Sequence, residues 1–212
     1  YHCKDNLSGI NGVSRPGIVH RIDMNTTGVL VTCKNDFAHS RIAAQLAVHD
    51  ITRKYNAIVW NPFSVESGTV DAPLARSRKD RKKVAIDQSG RRAVTHYRVL
   101  ENFKQFAHIE CQLETGRTHQ IRAHMRHIGH PVFSDERYGG DEILRGKTSN
   151  SYKQFITNCF KICPRQALHA RTLGFLHPAL GKEMDFEAPL PKDMDELIGK
   201  WRKFAGSAAD RQ

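Results

Sequence analysis

Acidic residues are scarce: 22 Asp plus Glu stand against 33 Lys plus Arg in 212 residues, a formal charge of +11. A field of that sign attracts polyanions over a range set by ionic strength, so nucleic acid leads as a partner. Charge alone leaves two other readings open, a surface kept basic for solubility and an acidic membrane. Long apolar runs are also missing. None approaches the about 20 residues that a membrane helix needs, and the first residues show no signal-peptide pattern, so a cytoplasmic protein without a membrane role is expected. Paired cysteines are absent too: Cys3, Cys33, Cys111, Cys159 and Cys163 are odd in number and form no CxxC. That counts against a disulfide framework and a structural zinc site, and suits a reducing compartment.

What is present is ordinary for a folded chain: 39% hydrophobic residues with ten Phe, five Tyr and two Trp. The length closes one sizeable core, and neither a repeat nor a low-complexity linker divides it, so residues 1–212 are expected to be one domain and a monomer. Position 1 is Tyr, which places the expected native start upstream.

Periodicity predicts a strand at Val29–Cys33, a helix over Asp36–Val48 with Ala38, Ile42 and Leu46 stacked, and a strand at Thr52–Trp60. Further strands are predicted near Gly68–Leu74, Arg92–Glu101 and Phe106–Leu113, the last two joined through Asn102–Gln105. Helices are predicted over Thr118–Ile128, closed by Gly129, and Asp193–Phe204. The polar, Gly-rich stretch Gly139–Ser151 reads as a mobile loop. The sum is an α+β fold around a mixed, mainly antiparallel sheet with flanking helices.

Four segments can carry chemistry. His20-Arg21-Ile22-Asp23-Met24-Asn25-Thr26-Thr27-Gly28 sets a carboxylate between a basic pair and a small-residue turn. Asp23 there can be an ionised nucleophile or base in a cleft, or only a turn cap paired with Arg21. In Arg53-Lys54-Tyr55-Asn56-Ala57, strand alternation sends Tyr55 to the face opposite Lys54, where its ring can stack on a base or be half-buried core.

The third segment, Glu114 to Pro131, is the most informative. On a helix Ile121, Met125 and Ile128 form an apolar face, with His119, Arg122 and Arg126 gathered opposite, and Thr115 to Ser134 holds no acid. Solvated faces usually interleave carboxylates, so this one should meet an anion: RNA phosphates, to which Arg117 would add, or an internal carboxylate such as Asp23. Histidines 119, 124, 127 and 130 lack any HExxH pattern or nearby Cys, so no metal site is expected. The fourth is Arg76-Ser77-Arg78-Lys79-Asp80-Arg81-Lys82-Lys83, a phosphate-tracking loop or ordinary exposed charge.

Together these segments resemble the RluA family of pseudouridine synthases. The HRLDxxTSG signature is similar to His20–Gly28, with Ile22 for Leu and Thr27 for Ser. The resemblance continues through Lys54–Ala57, through GRTHQIR-x-H with its following GHP, and through Gln166–Ala170 with Phe175–Pro178, covering essentially Tyr1 to Pro191. It implies the pseudouridine synthase fold, a central RNA-binding cleft, and isomerisation of uridines in structured RNA to pseudouridine without a cofactor. It further implies Asp23 as the essential carboxylate, Tyr55 as the ring against the target base, Arg122 as ionic partner of Asp23, and Arg21, beside His20, filling the space left by the flipped uridine. The Ser8–Asp23 stretch resembles the large-subunit, RluD-like branch, implying rRNA first and tRNA second as substrate. Family members usually begin with a strand and a KPxG-like segment, often after a small S4 domain, and this chain starts beyond both. The competing readings are a non-catalytic RNA-binding or ribosome-assembly module, and a nucleoside hydrolase or glycosidase, which commonly needs paired carboxylates or a metal.

Overall fold

The computed structural model describes residues 6–10, 12, 15–144 and 149–209, with side chains to 204. Cys3, three positions of the Ser8–Asp23 stretch and residues 145–148 of the Gly139–Ser151 stretch lie outside them. Among the described residues are nine strands and four helices. In chain order they are β1 (Thr27–Gly28), α1 (Asp36–Ala47), β2 (Thr52–Trp60), β3 (Ser67–Asp71), β4 (Leu74–Arg76), β5 (Val84–Ile86), β6 (Val94–Asn102), β7 (Phe106–Leu113), α2 (Gln120–His127), α3 (Asn150–Ile162), β8 (Leu168–Leu176), β9 (Glu183–Glu187) and α4 (Lys192–Ala209).

A seven-stranded sheet runs β1-β8-β2-β7-β6-β3, with β9 also on β8, and β4 and β5 form a separate hairpin. All pairs are antiparallel except β1 on β8. The outer edge of β8 is therefore divided. β1 takes His169 and Ala170, whereas β9 takes Thr172 to Leu176. The central strand β2 is buried continuously from Tyr55 to Trp60, while β7 alternates after Phe106, with Ala107, Ile109 and Cys111 buried and His108 and Glu110 half-buried between them. This is the pattern of a sheet covered most completely at its middle.

Helices α3 and α4 pack on each other and close one side of the core. In α4, Met194, Leu197, Ile198 and Trp201 are buried at helical spacing, and the Trp201 ring meets Phe106 at 3.8 Å and Phe155 of α3 at 4.8 Å. Burial of such rings supplies most of the cohesion, about 25 cal/mol for each Å2 of apolar surface. Helix α1 starts at Asn35, whose side chain accepts the Ala38 N–H, and packs through Ile42 against Leu173 and Cys33.

The prediction of a strand at Val29–Cys33 is corrected: among the described residues the only ladder contact there is an isolated antiparallel bridge between Ile18 and Thr32. Backbone N–H groups of Val29 and Cys33 bond singly to Ala170 and Gly17, because β9 occupies the rest of the β8 edge. The predicted strand Gly68–Leu74 breaks at Ala72-Pro73 into β3 and β4, since Pro73 has no N–H to continue the ladder. Helix α2 begins two residues late because His119 is left-handed, at φ 53°. Sequence reading missed α3, β5, β8 and β9. Helix α3 begins inside the predicted loop, whose first residues are also fixed: the Trp60 indole donates to Gly140 O at 2.8 Å. Cysteines 33, 111, 159 and 163 are free and buried.

Candidate active site

Asp23 lies in a tight turn just before β1. Thr26 N–H donates to Asp23 O at 3.0 Å, and Asn25 is left-handed at φ 68°. The turn is held from outside by the segment entering β8. Gln166 Nε2 donates to Met24 O at 2.6 Å, and Arg165 Nη1 donates to Asn25 O at 3.1 Å. Gly28 then lets the chain touch the sheet. At φ +116°, a Cβ there would fall 2.1 Å from Ala170 O, a distance no side chain tolerates.

Arg122 comes from α2. The β7-to-α2 turn is fixed by buried Gln120, whose Oε1 accepts from Arg117 N–H and the Thr115 hydroxyl while Nε2 donates to Val94 O. From that base Arg122 Nη1 reaches Asp23 Oδ2 at 3.1 Å. Its Nε and Nη2 fork onto Asp135 at 2.6 and 2.8 Å. The side chains of Arg122, Asp23 and Asp135 are 6%, 14% and 0% exposed. Burial alone would weaken the Arg122 guanidinium as a cation; the hydrogen bonds and charge of Asp135, with those of Asp23, outweigh it and raise its pKa. Asp135 takes the bidentate fork. Asp23 takes one N–H, on Oδ2, and its Oδ1 accepts none from the described residues, so the carboxylate is restrained through one oxygen.

Asp23 and Tyr55 line one cavity of about 690 Å3 together with Arg21, Arg53, Arg117 and His119, a size suited to a small ligand or an extruded nucleotide. Burial pushes the Tyr55 hydroxyl up to about 12, with Arg53 opposing and Asp23 reinforcing the shift, so the phenol is neutral at physiological pH. Burial and the charge of Arg53 hold His20 down at about 4. His20 Nε2 accepts the Val31 N–H at 3.1 Å, so the neutral ring staples the Asp23 loop. Asp23 also lines, with Arg122 and Asp135, a smaller cavity of about 340 Å3.

Asp23 shares the larger cavity with Tyr55 and the smaller one with Arg122, and Arg21, exposed, lines both. Asp23 pairs with Arg122, not with its neighbour Arg21. The expected common face of His119, Arg122 and Arg126 is not present. His119 precedes the helix, Arg122 is drawn inward by two carboxylates, and Arg126 is exposed. Arg117 lines the cavity while its Nε donates to Arg92 O. The histidines diverge: His119 meets the Tyr138 hydroxyl, His124 is buried on Thr95 and Ala72 O, and His130 stacks on Phe63 at 3.7 Å. Among the described residues no His, Cys, Asp and Glu group is placed to hold a metal.

Arg76, Arg78, Lys79, Arg81 and Lys82 are exposed around the β4–β5 hairpin and Lys83 is half-buried; none lines either cavity. The hairpin is nonetheless tied to the site. Val84 N–H donates to the Tyr138 hydroxyl, Arg137 Nη1 donates to Lys82 O, and the Arg122 guanidinium lies 5.1 Å from the centre of the Tyr138 ring. Sequence reading missed Asp135, Tyr138 and Arg53. The available signal for Asp135 was that it is the first acid after the Thr115–Ser134 stretch.

A family model described as RNA pseudouridylate synthase matches residues 3–127, which include Asp23, Tyr55 and Arg122. "Uncharacterized RNA pseudouridine synthase YlyB" of Bacillus subtilis is 50% identical over 202 residues, 95% of this chain and 61% of that protein. "Ribosomal large subunit pseudouridine synthase D" of Zymomonas mobilis is 52% identical over 200 residues, 93% of this chain and 60% of its own length. Among solved structures, human RNA pseudouridylate synthase domain containing 4 superposes with a TM-score of 0.70 at 26% identity, over 87% of this chain and 75% of that one. The chain spans about 60% of the length of these curated relatives. With the mixed sheet, the cleft beside Asp23 and a family match over more than half its length, the chain belongs to the RNA pseudouridylate synthase family.

Proposed function

We propose that residues 1–212 form the catalytic domain of a pseudouridine synthase that isomerises selected uridines of structured RNA, large-subunit rRNA before tRNA, as a cytoplasmic monomer. One observation carries the reading: the Asp23 carboxylate, anchored through one oxygen by buried Arg122, faces the same cavity as the Tyr55 ring. The reaction breaks the bond from C1′ to N1 of uracil, turns the base, forms a bond from C1′ to C5, and moves the C5 proton away as N1 gains one. It is balanced without any redox change, so a positioned carboxylate and a site that retains the freed base meet its needs.

The uridine must leave its stack, at a cost of a few kcal/mol that favours loops and junctions. Tyr55 then offers a ring against the extruded base, worth about 1–3 kcal/mol. Asp23 acts at the sugar or the base with its unbound oxygen, while Arg122 fixes the orientation of the carboxylate. Arg21 at the rim occupies the gap left in the RNA, and the basic hairpin tracks flanking phosphates.

Asp23→Asn keeps the shape and removes the charge. Incubated with in vitro transcribed large-subunit rRNA, it should form no pseudouridine while binding RNA within about threefold of the wild type. Normal turnover by this variant would overturn the assignment. Tight binding without isomerisation by the wild type would indicate a binding module, and released uracil a hydrolase.

A further inference from the structure

Arg53 precedes Tyr55 by two residues on β2 and lines the same cavity. It is 8% exposed. Arg122, the other buried arginine among the described residues, has Asp135 and Asp23, and half-buried Arg165 and Arg171 have Asp193 and Glu187. Arg53 has none among the described residues. Its hydrogen bond is a long one, Nη2 to Glu114 O at 3.3 Å, and its Nε is buried with no partner. A buried cation left uncompensated is costly, so a fold that retains one needs an anion from elsewhere.

The local packing holds the group rather than hiding it. A Cβ at Gly116 would fall 2.5 Å from Arg53 Nη1, so the guanidinium lies close against the bare backbone there. Burial lowers the pKa of Arg53, and its charge in turn helps keep His20 neutral. Arg117, next to Gly116, brings a second guanidinium to the same cavity. Along the strand Arg53 and Tyr55 are about 7 Å apart on one face, the order of separation between a nucleotide's base and its own phosphates.

We propose that Arg53 is the seat of an RNA backbone phosphate beside the target nucleotide, and that its missing counter-charge arrives with the RNA. The position relative to the uridine rests on the isomerase reading, because Asp23 and Tyr55 mark where that base would sit; the phosphate itself does not. A phosphate fits better than a uracil carbonyl because a full negative charge is what the buried guanidinium lacks.

The test uses the whole chain as wild type, Arg53→Met and Arg53→Lys, with in vitro transcribed large-subunit rRNA as the probe. Affinity is measured across salt concentrations, and thermal midpoints are measured without RNA. Losing one phosphate contact should make the log–log salt slope of Arg53→Met shallower by about 0.7 to 0.9, while Arg53→Lys keeps the wild-type slope. The RNA-free midpoint of Arg53→Met should equal or exceed that of the wild type, since an uncompensated charge has gone. KM should rise about tenfold with kcat within about threefold, as expected of a contact that positions. An unchanged slope, or a variant that melts early or does not fold, would show that the guanidinium serves the RNA-free protein and would overturn the proposal. A wild type that binds with the full slope but makes no pseudouridine would sink the isomerase reading and leave the phosphate seat standing.

Discussion

Arg122 Nη1 meets Asp23 Oδ2 at 3.1 Å across 99 positions of the chain, and the same guanidinium forks onto Asp135, 13 positions away. The two carboxylates are unequal partners. Asp135, fully buried, neutralises the arginine and also accepts the N–H groups of Arg137 and Tyr138. Asp23 contributes one oxygen to a single N–H.

Asp135→Ala should therefore destabilise the whole domain. Removing one partner of a buried pair costs about 3–5 kcal/mol, and in a chain of this size each kcal/mol lowers the thermal midpoint by about 2–4 °C. A fall of roughly 6–20 °C in a calorimetric scan is expected. A change below about 2 °C would mean that Asp135 is not the anchor of Arg122.

Tyr55 should act as a ring and not as a phenolate. With its hydroxyl pushed up to about 12, mainly by burial, the phenolate is about one part in 100,000 at pH 7. The rate should consequently show no alkaline inflection from this group between pH 7 and 10 in a kcat profile. In affinity for RNA, Tyr55→Phe should stay near the wild type, whereas Tyr55→Ala should lose about 1–3 kcal/mol of stacking.

Acid should weaken the fold through two histidines. Burial lowers His20 and His108 to about 4 from an ordinary 6.5, so between those values the unfolded chain binds protons that the folded one refuses. The stability these groups contribute is full above pH 6.5 and is lost as pH falls toward 4. Thermal midpoints measured from pH 7.5 to 4.5 should decline across that window, and His108→Gln should flatten the decline.

The hairpin should contribute to binding and little to stability. Replacing Arg78, Lys79, Arg81 and Lys82 by Gln should make the salt slope of RNA binding shallower by about 3, at about 0.7 to 0.9 for each phosphate released. The midpoint of unfolding should move by less than about 2 °C, because these side chains are exposed.

Residues whose structure is set by near neighbours were legible. Thr52–Trp60 and Phe106–Leu113 read as strands from composition and flanking turns, and both have those bounds. Val29–Cys33 has the same composition, yet its pairing depends on how β1 and β9 share the edge of β8, a long-range outcome that no local pattern carries. The α3 spacing of Tyr152, Ile156 and Cys159 was present, but the polar run before it masked the helix. In the site, local sequence left Asp23 as a cleft carboxylate or a turn cap on Arg21, and Arg122 as facing RNA phosphate or a carboxylate such as Asp23; the family resemblance is what implied that the two pair. Arg53 stayed unseen because what singles it out is a missing neighbour, and that is visible only after folding.

The Asp23 turn joins the sheet through the two residues of β1, of which Gly28 is pressed onto Ala170, while the aromatic body is built from α3, α4 and the middle strands. Foldedness and the placing of Asp23 thus have separate points of failure: damage at the Gly28 mooring can unseat that carboxylate and leave the rest of the molecule well folded.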